Sequence, residues 1–224
     1  MSRGRFVLAA AALLAAVLLV ALGVWQVERR RWKLDLIAQV DARLAAAPIT
    51  LPHARWAGIG RDDAYTRVRF AGRWIVAEPV LVKAVTQLGG GWWVMAPLAT
   101  ADGTILVNRG FVPERTRPAP ATGRAVVTGL LRVSEPGGAF LRANDPAGNR
   151  WFSRDVAAIA RARGWNNVAP FFVDSDAVPG PAWPRGGMTV VRFPNNHLVY
   201  ALTWFALAII AGWFAWRVLR ERRA

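Results

Sequence analysis

A histidine stands at the start of the last long apolar segment of the chain, where its side chain could bind a metal ion. His197 is one of only two histidines, and Tyr200, Ala201 and Trp204 follow it. On a helix these residues occupy positions i, i+3, i+4 and i+7 and share one face. Because ionisable residues at such a place in a membrane segment often have a function, this face is a candidate ligand site.

The same residues also have a purely structural interpretation. Tyr and Trp concentrate at bilayer interfaces, and a histidine is tolerated at the mouth of a helix that water reaches. The pattern alone leaves open whether His197 binds a ligand or only marks the interface.

Two apolar segments must position these residues. Phe6–Val27 and Phe193–Trp216 contain no formally charged residue, and each is long enough to cross a hydrocarbon core of about 30 Å as a helix. The first segment exceeds the roughly 7–15 apolar residues of a signal peptide, so we interpret it as an uncleaved helix rather than a cleaved signal.

The spans predict how the chain is divided. The predicted parts are a cytoplasmic N-terminus (1–5), transmembrane helix 1 (6–27), an extracytoplasmic domain (28–194), transmembrane helix 2 (195–216) and a basic cytoplasmic tail (217–224). Basic residues after the first span would by themselves place its far end in the cytoplasm. Two spans, however, put both termini on one side, and long domains cross largely regardless of charge.

The first helix also carries polar and aromatic residues at its interfacial end. Trp25 and Gln26 lie there much as His197 lies in the second segment. If the helices pair antiparallel, both sets meet at the same membrane surface. An amphipathic stretch then continues the first helix until Pro48 stops it.

The region between the spans is predicted to be rich in strands. The expected strands cover 66–70, 72–75, 80–85, 92–98, 104–109, 125–133, 171–173 and 189–193. An Asp102-Gly103 turn predicts a hairpin, Gly89–Gly91 is interpreted as a turn, and 155–162 as a helix. The predicted fold class is therefore two transmembrane helices that flank a mainly antiparallel, strand-rich α+β domain.

The net charge and the composition limit the kinds of ligand and partner that the chain is expected to bind. The chain of 224 residues carries a formal net charge of +15 and no cysteine. This charge suggests contact with anionic lipid, an acidic partner or carboxylate ligands. The basic residues are spread out and no nucleic-acid motif accompanies them, so nucleic acid is not an expected partner. A disulfide is excluded, and a dedicated copper site is not expected.

No familiar catalytic motif is present, and an enzyme is not predicted. Asp62-Asp63 is interpreted as a solvated turn and His53 as a surface residue. Arg109, between Asn108 and Gly110, is interpreted as ordering a turn in preference to binding a substrate.

Three groups of residues together resemble the surfeit locus protein 1 family. They are Gly23-x-Trp25-Gln26 with Arg29 and Trp32-Lys33; Pro97-Leu98 before Asp102-Gly103 and Val107-Asn108-Arg109-Gly110-Phe111-Val112-Pro113; and Asn195-Asn196-His197-Leu198-x-Tyr200-Ala201-x-Thr203-Trp204-Phe205. The similarity runs from about Gly23 to Trp216, with the motifs in matching order.

The resemblance implies an assembly factor for haem–copper oxidases, chiefly cytochrome c oxidase, that binds haem a and delivers it to the catalytic subunit. It assigns His197 as the axial ligand of the haem iron. From their positions, Tyr200 and Trp204 are expected to flank the ring, and Trp25 and Gln26 are further expected cofactor contacts. The alternative is a structural assembly partner that stabilises an oxidase intermediate without a cofactor.

Partners and location follow from the same resemblance. The expected partners are subunit I of cytochrome c oxidase, haem a synthase and the lipid bilayer. Because Met1 and two arginines directly precede the first span, with no presequence, we expect a bacterial inner membrane with the central domain in the periplasm.

Overall fold

A computed structural model describes residues 3–114, 116–139, 142–178 and 180–220. The chain forms two units, Met1–Gln39 with Val191–Ala224, and Val40–Val190. The predicted cytoplasmic ends, 1–5 and 217–224, lie partly outside the described residues.

Two long helices supply the first unit. Helix α1 runs Arg3–Ala45 and helix α3 runs His197–Arg220. Both are long and apolar enough to cross a membrane, since about 20 helical residues span the hydrocarbon core. As predicted, α1 continues well past its apolar part and ends before Pro48, which has no backbone N–H to donate within a helix.

The two helices pair antiparallel. Arg5 Nη2 donates to the backbone oxygen of Val218 at 2.9 Å, near the start of one helix and the end of the other. Gln26 and His197 meet at the opposite end of the pair. The buried residues of α3 repeat every seven positions and are all small: Ala201, Ala208 and Ala215. We call this line of contact the helix seam; small side chains with this spacing let two helices approach closely.

Gly23 lies on the helix seam where α1 and α3 are in close contact. A Cβ atom at this position would overlap the ring of Phe205, whereas one at Gly212 of α3 would meet open space. The absence of a side chain at Gly23 is therefore a packing requirement of the pair.

The second unit is built on six strands. They are β1 Arg67–Trp74, β2 Val80–Thr86, β3 Gly89–Ala99, β4 Thr104–Pro113, β5 Arg124–Val133 and β6 Val168–Ser175. Their order is β1-β5-β6-β4-β3-β2, and a further β1–β3 pairing closes the sheet. Of the pairings among the described strands, β4–β6 is parallel and the others are antiparallel.

The predicted mainly antiparallel sheet is thus corrected to a closed, mixed barrel. Closure depends on the length of β3, because its first residues pair with β2 while Leu98 and Ala99 pair with β1. Local alternation reveals strands but does not reveal which distant edges meet.

Several local predictions are confirmed. Strands β3 and β4 form the hairpin across Asp102-Gly103, and helix α2 covers Val156–Arg163. The side chain of Asp155 accepts from the Ala158 N–H at the start of α2, and Gly164 ends the helix with a φ of 65°. These are ordinary helix start and stop signals.

Two local predictions are wrong. Gly89–Gly91 begins β3 instead of forming a turn; a Cβ at Gly91 would overlap the Val112 carbonyl oxygen on the neighbouring strand. The strand predicted at 189–193 is not formed, and residues 186–196 have no regular structure. Just before this segment, Arg185 forms an isolated antiparallel bridge to Phe111 of β4, but the pairing does not continue into residues 186–196.

Apolar residues fill both faces of the central strands. Ile105, Val107 and Phe171 lie in the cluster inside the barrel, whereas Leu106 and Phe172 lie in a second cluster with residues of α2. Residues 105–107 of β4 and 171–173 of β6 are therefore continuous apolar runs, because neither face of these segments meets water.

A buried carboxylate, that of Asp174, connects the strands to the loops. Its side chain is 6% exposed. It accepts hydrogen bonds from Asn108 (2.7 Å), Arg132 (2.9 Å), Arg154 (3.1 Å) and Thr189 (2.9 Å). Arg154 also donates to Glu135 at 2.6 Å. Burial disfavours the charge of Arg154, but these two carboxylates together raise the pKa of its guanidinium above the ordinary value.

Replacing this carboxylate should destabilise the barrel. Asp174→Ala leaves two buried arginines short of a counter-charge, and breaking a buried ion pair in this way typically costs about 3–5 kcal/mol. Denaturant unfolding of the full chain in detergent, followed by near-ultraviolet circular dichroism, measures the change. Asp145→Ala is the control, because its partner Arg150 has a 72% exposed side chain. Equal stability of the two variants would contradict the assigned role of Asp174.

Filling the space at Gly23 should weaken the helix pair. Gly23→Ala forces the ring of Phe205 to move, and overpacking of this kind costs about 1–3 kcal/mol. Thermal unfolding of the full chain in detergent, followed by helical circular dichroism, measures the effect. Gly212→Ala adds the same methyl group to open space and should leave the transition unchanged; an equal effect of both substitutions would argue against close packing at Gly23.

Candidate functional site

The side chain of His197 forms a hydrogen bond to the other long helix. His197 is the first residue of α3, and its Nδ1 atom lies 2.7 Å from Oε1 of Gln26 in α1. An amide oxygen can only accept a hydrogen bond, so Nδ1 carries the proton and donates it. In the neutral ring, Nε2 then has a free lone pair that can bind a metal ion.

Gln26 is held on the helix seam by burial. Its exposed fraction is 9%, and it follows Gly23 by three residues, on the same face of α1. Burying a polar side chain without a partner is costly, so the pair with His197 satisfies Gln26 while it orients the imidazole. A hydrogen bond to the second ring nitrogen is the usual way in which proteins orient a ligating histidine.

Two further polar atoms near His197 in the sequence are buried and have no hydrogen-bond partner within the described residues. They are Nε1 of Trp204 and Oδ1 of Asn195. An unpaired buried polar group costs about 1–3 kcal/mol, so these two atoms are exceptions among the buried polar groups that the structure describes. Because Trp204 follows His197 by seven residues, its indole lies on the same side of α3.

The other two predicted contact residues lie outside the helix seam. Tyr200 and Trp25 are each 54% exposed. The structure thus brings His197 and Gln26 into direct contact, keeps Trp204 on the same side of α3, and leaves two aromatic rings exposed on the flanks. The 3.6-residue period explains this arrangement, since Tyr200 is about 60° around the helix from His197.

Sequence reasoning selected His197, Trp204 and Gln26 as candidate site residues and did not select Asn195. Asn195 belongs to the quoted motif, but an unpaired amide oxygen is visible only in a folded structure.

The residues set aside as structural have the following positions. Asp63 lies in a short 3-10 turn and accepts from the backbone N–H of Gly60. His53 is exposed, with Nε2 3.3 Å from Oδ1 of Asn167. Arg109 lies within β4 rather than in the expected turn, although its Nη1 atom donates to Ala119 of the following loop at 2.9 Å.

The chain resembles characterised proteins over most of its length. Residues 13–209 match the SURF1 family model. Surfeit locus protein 1 of Homo sapiens is 35% identical over 233 residues, which cover 90% of this chain and 75% of that protein. Surfeit locus protein 1 of Takifugu rubripes is 33% identical, with 87% of this chain and 90% of that protein covered. A SURF1-like protein of Monosiga brevicollis is also 33% identical, with coverage of 84% and 78%.

The family match includes Gly23, Gln26 and His197 and the whole strand-rich unit, in agreement with the resemblance that the three motifs carry. On this evidence the chain belongs to the SURF1, or surfeit locus protein 1, family.

Proposed function

We propose that this chain is an assembly factor for a haem–copper oxidase, and that it binds haem a through His197 and passes it to the catalytic subunit. Membership of the SURF1 family supports the role in cytochrome c oxidase assembly. The single observation that supports the haem step is the hydrogen bond from His197 Nδ1 to Gln26, because it leaves the Nε2 lone pair free.

The residues near His197 suit such a cargo. Haem supplies an iron that already has four ligands from its ring, so one imidazole is a sufficient protein ligand, as in globins. The amide oxygen of Gln26 makes the imidazole a stronger electron-pair donor to iron by accepting a hydrogen bond from its Nδ1–H group. Tyr200 and Trp25 offer exposed aromatic surface for a flat apolar molecule.

The same features suit release as well as capture. A carrier must bind its cargo and then give it up, so a single ligand at the end of a helix is preferable to a closed cage. Under this proposal α1 and α3 cross an inner membrane, the 28–194 region lies in the periplasm, and subunit I of the oxidase receives the haem. Haem a synthase is the proposed source.

Removing the ligand should abolish haem binding. His197→Ala, purified in detergent from cells that make haem a, is expected to lack the haem a absorption bands of the parent protein. His53→Ala is the matched control, because it removes the other histidine, which lies in the second unit. Oxidase haem content should fall in cells that carry His197→Ala and stay unchanged in those that carry His53→Ala.

A colourless parent protein, from membranes rich in haem a, would contradict the carrier role. Normal oxidase haem content with His197→Ala would do so as well. If oxidase assembly still required the chain, either result would favour the alternative of a structural assembly partner.

Removing the acceptor should weaken haem binding without eliminating it. Gln26→Leu keeps the size of the side chain but leaves Nδ1 of His197 without its partner; loss of such a contact typically lowers metal affinity about 10–100-fold. Haem titration followed by absorption measures the affinity. Gln26→Glu keeps an acceptor and should retain more affinity, and Gln39→Leu, at an exposed position of α1, should have no effect. Equal affinities of Gln26→Leu and the parent would show that the bond does not support the ligand.

A further inference from the structure

A cavity of about 380 Å³ lies at one end of the barrel, within the second unit. Its lining comes from the end of β1, from β4 and β5, and from the segment that follows β6. Val107 and Val127, which belong to the cluster inside the barrel, also line it. The cavity therefore lies directly over the core, and its volume is in the range of pockets that hold small molecules.

Arg109 brings a positive charge into this cavity. It follows Val107 by two residues on β4, and both side chains line the space. Its guanidinium group donates one hydrogen bond, to the Ala119 backbone oxygen, and lies 6.0 Å from the ring of Trp74. Within the part of the chain that the structure describes, it forms no ion pair with a carboxylate.

The charge of Arg109 is thus partly removed from water without a counter-ion. Burial lowers the pKa of its guanidinium below the ordinary value. Asp176 also lines the cavity, but its carboxylate is paired with Arg67. Together Arg109, Asp176 and Arg67 leave one positive charge, and among the described residues only the Ala119 carbonyl oxygen accepts a hydrogen bond from Arg109. An anion is the group that would compensate it.

The rest of the lining is mainly apolar. Its side chains are those of Trp74, Val107, Ala125, Val126, Val127, Ala177, Val178 and Pro184, with Thr128 and Ser175 as the small polar members. Val126 and Val178 are large apolar residues that are 55% and 80% exposed. A ligand that matches the cavity has one anionic group and an apolar body.

We propose that this cavity binds a small organic carboxylate with an apolar body, with the carboxylate on Arg109 and the body against Trp74 and Val126. A planar guanidinium group can bind both carboxylate oxygens at once. The site lies entirely within the second unit, so this inference does not rest on haem binding at His197.

The test compares one probe that has both the carboxylate and the apolar body with two probes that each lack one of these groups. The full chain in nanodiscs of uncharged lipid is titrated with 3-phenylpropionate, with 3-phenylpropionamide and with acetate, and binding is measured by ligand-observed nuclear magnetic resonance against empty nanodiscs. We expect 3-phenylpropionate to bind about tenfold more tightly than either of the others, since charge-assisted hydrogen bonds and apolar burial both contribute. Equal binding of the carboxylate and its amide would overturn the proposal without the need for any variant.

Substitutions then locate the site. Arg109→Gln should lose the preference for the carboxylate, because it removes the charge while it can still donate to Ala119. Arg109→Lys should retain part of it. Arg124→Gln is the matched control, since it removes an equal charge from an exposed residue next to the cavity. If Arg109→Gln, folded by circular dichroism, keeps the full preference, the carboxylate binds elsewhere and the assignment is wrong.

Discussion

The hydrogen bond between His197 and Gln26 is the constraint on which the site at the helix seam depends. It joins residues 171 positions apart, at 2.7 Å. In an apolar environment an unpaired amide or imidazole is costly, so this bond favours one register of the two helices over neighbouring ones. It also selects one tautomer of the imidazole. The same contact therefore contributes to the pairing of the helices and leaves the lone pair of Nε2 without a proton.

The strand-rich unit uses arginine in two different ways. Arg132 and Arg154 surround the carboxylate of Asp174, where each charge has its partner and the buried network holds strands and loops together. Arg109 has an aromatic ring and a carbonyl oxygen beside it but, within the part of the chain that the structure describes, no paired carboxylate. The arginines that contribute to the formal net charge of +15 are thus of two kinds. One kind is satisfied within the fold, and the other is available to a ligand.

Much of the architecture was predictable because its signals are local. Apolar length predicted both long helices, and alternation with the Asp102-Gly103 turn predicted the β3–β4 hairpin. Asp155 and Gly164 carry start and stop signals for α2 within a few residues of its ends. The strand predicted at 189–193 does not form, because strand pairing depends on contacts that are not local in the sequence. A strand needs a partner edge over several residues, and here the pairing stops at a single bridge between Arg185 and Phe111 of β4.

The sequence by itself determined the two apolar helices and most strand positions, because these depend on residue type and short spacing. It also determined the family, and the resemblance to that family singled out His197 as the candidate ligand. Only the tertiary structure decided that the barrel closes, that His197 donates a hydrogen bond to Gln26, and that Tyr200 lies outside the helix seam. It also decided that, among the described residues, no carboxylate pairs with Arg109. Each of these depends on which distant side chains meet. Packing, burial and the pairing of polar groups decide which distant side chains meet. All three depend on residues that are far apart in the sequence.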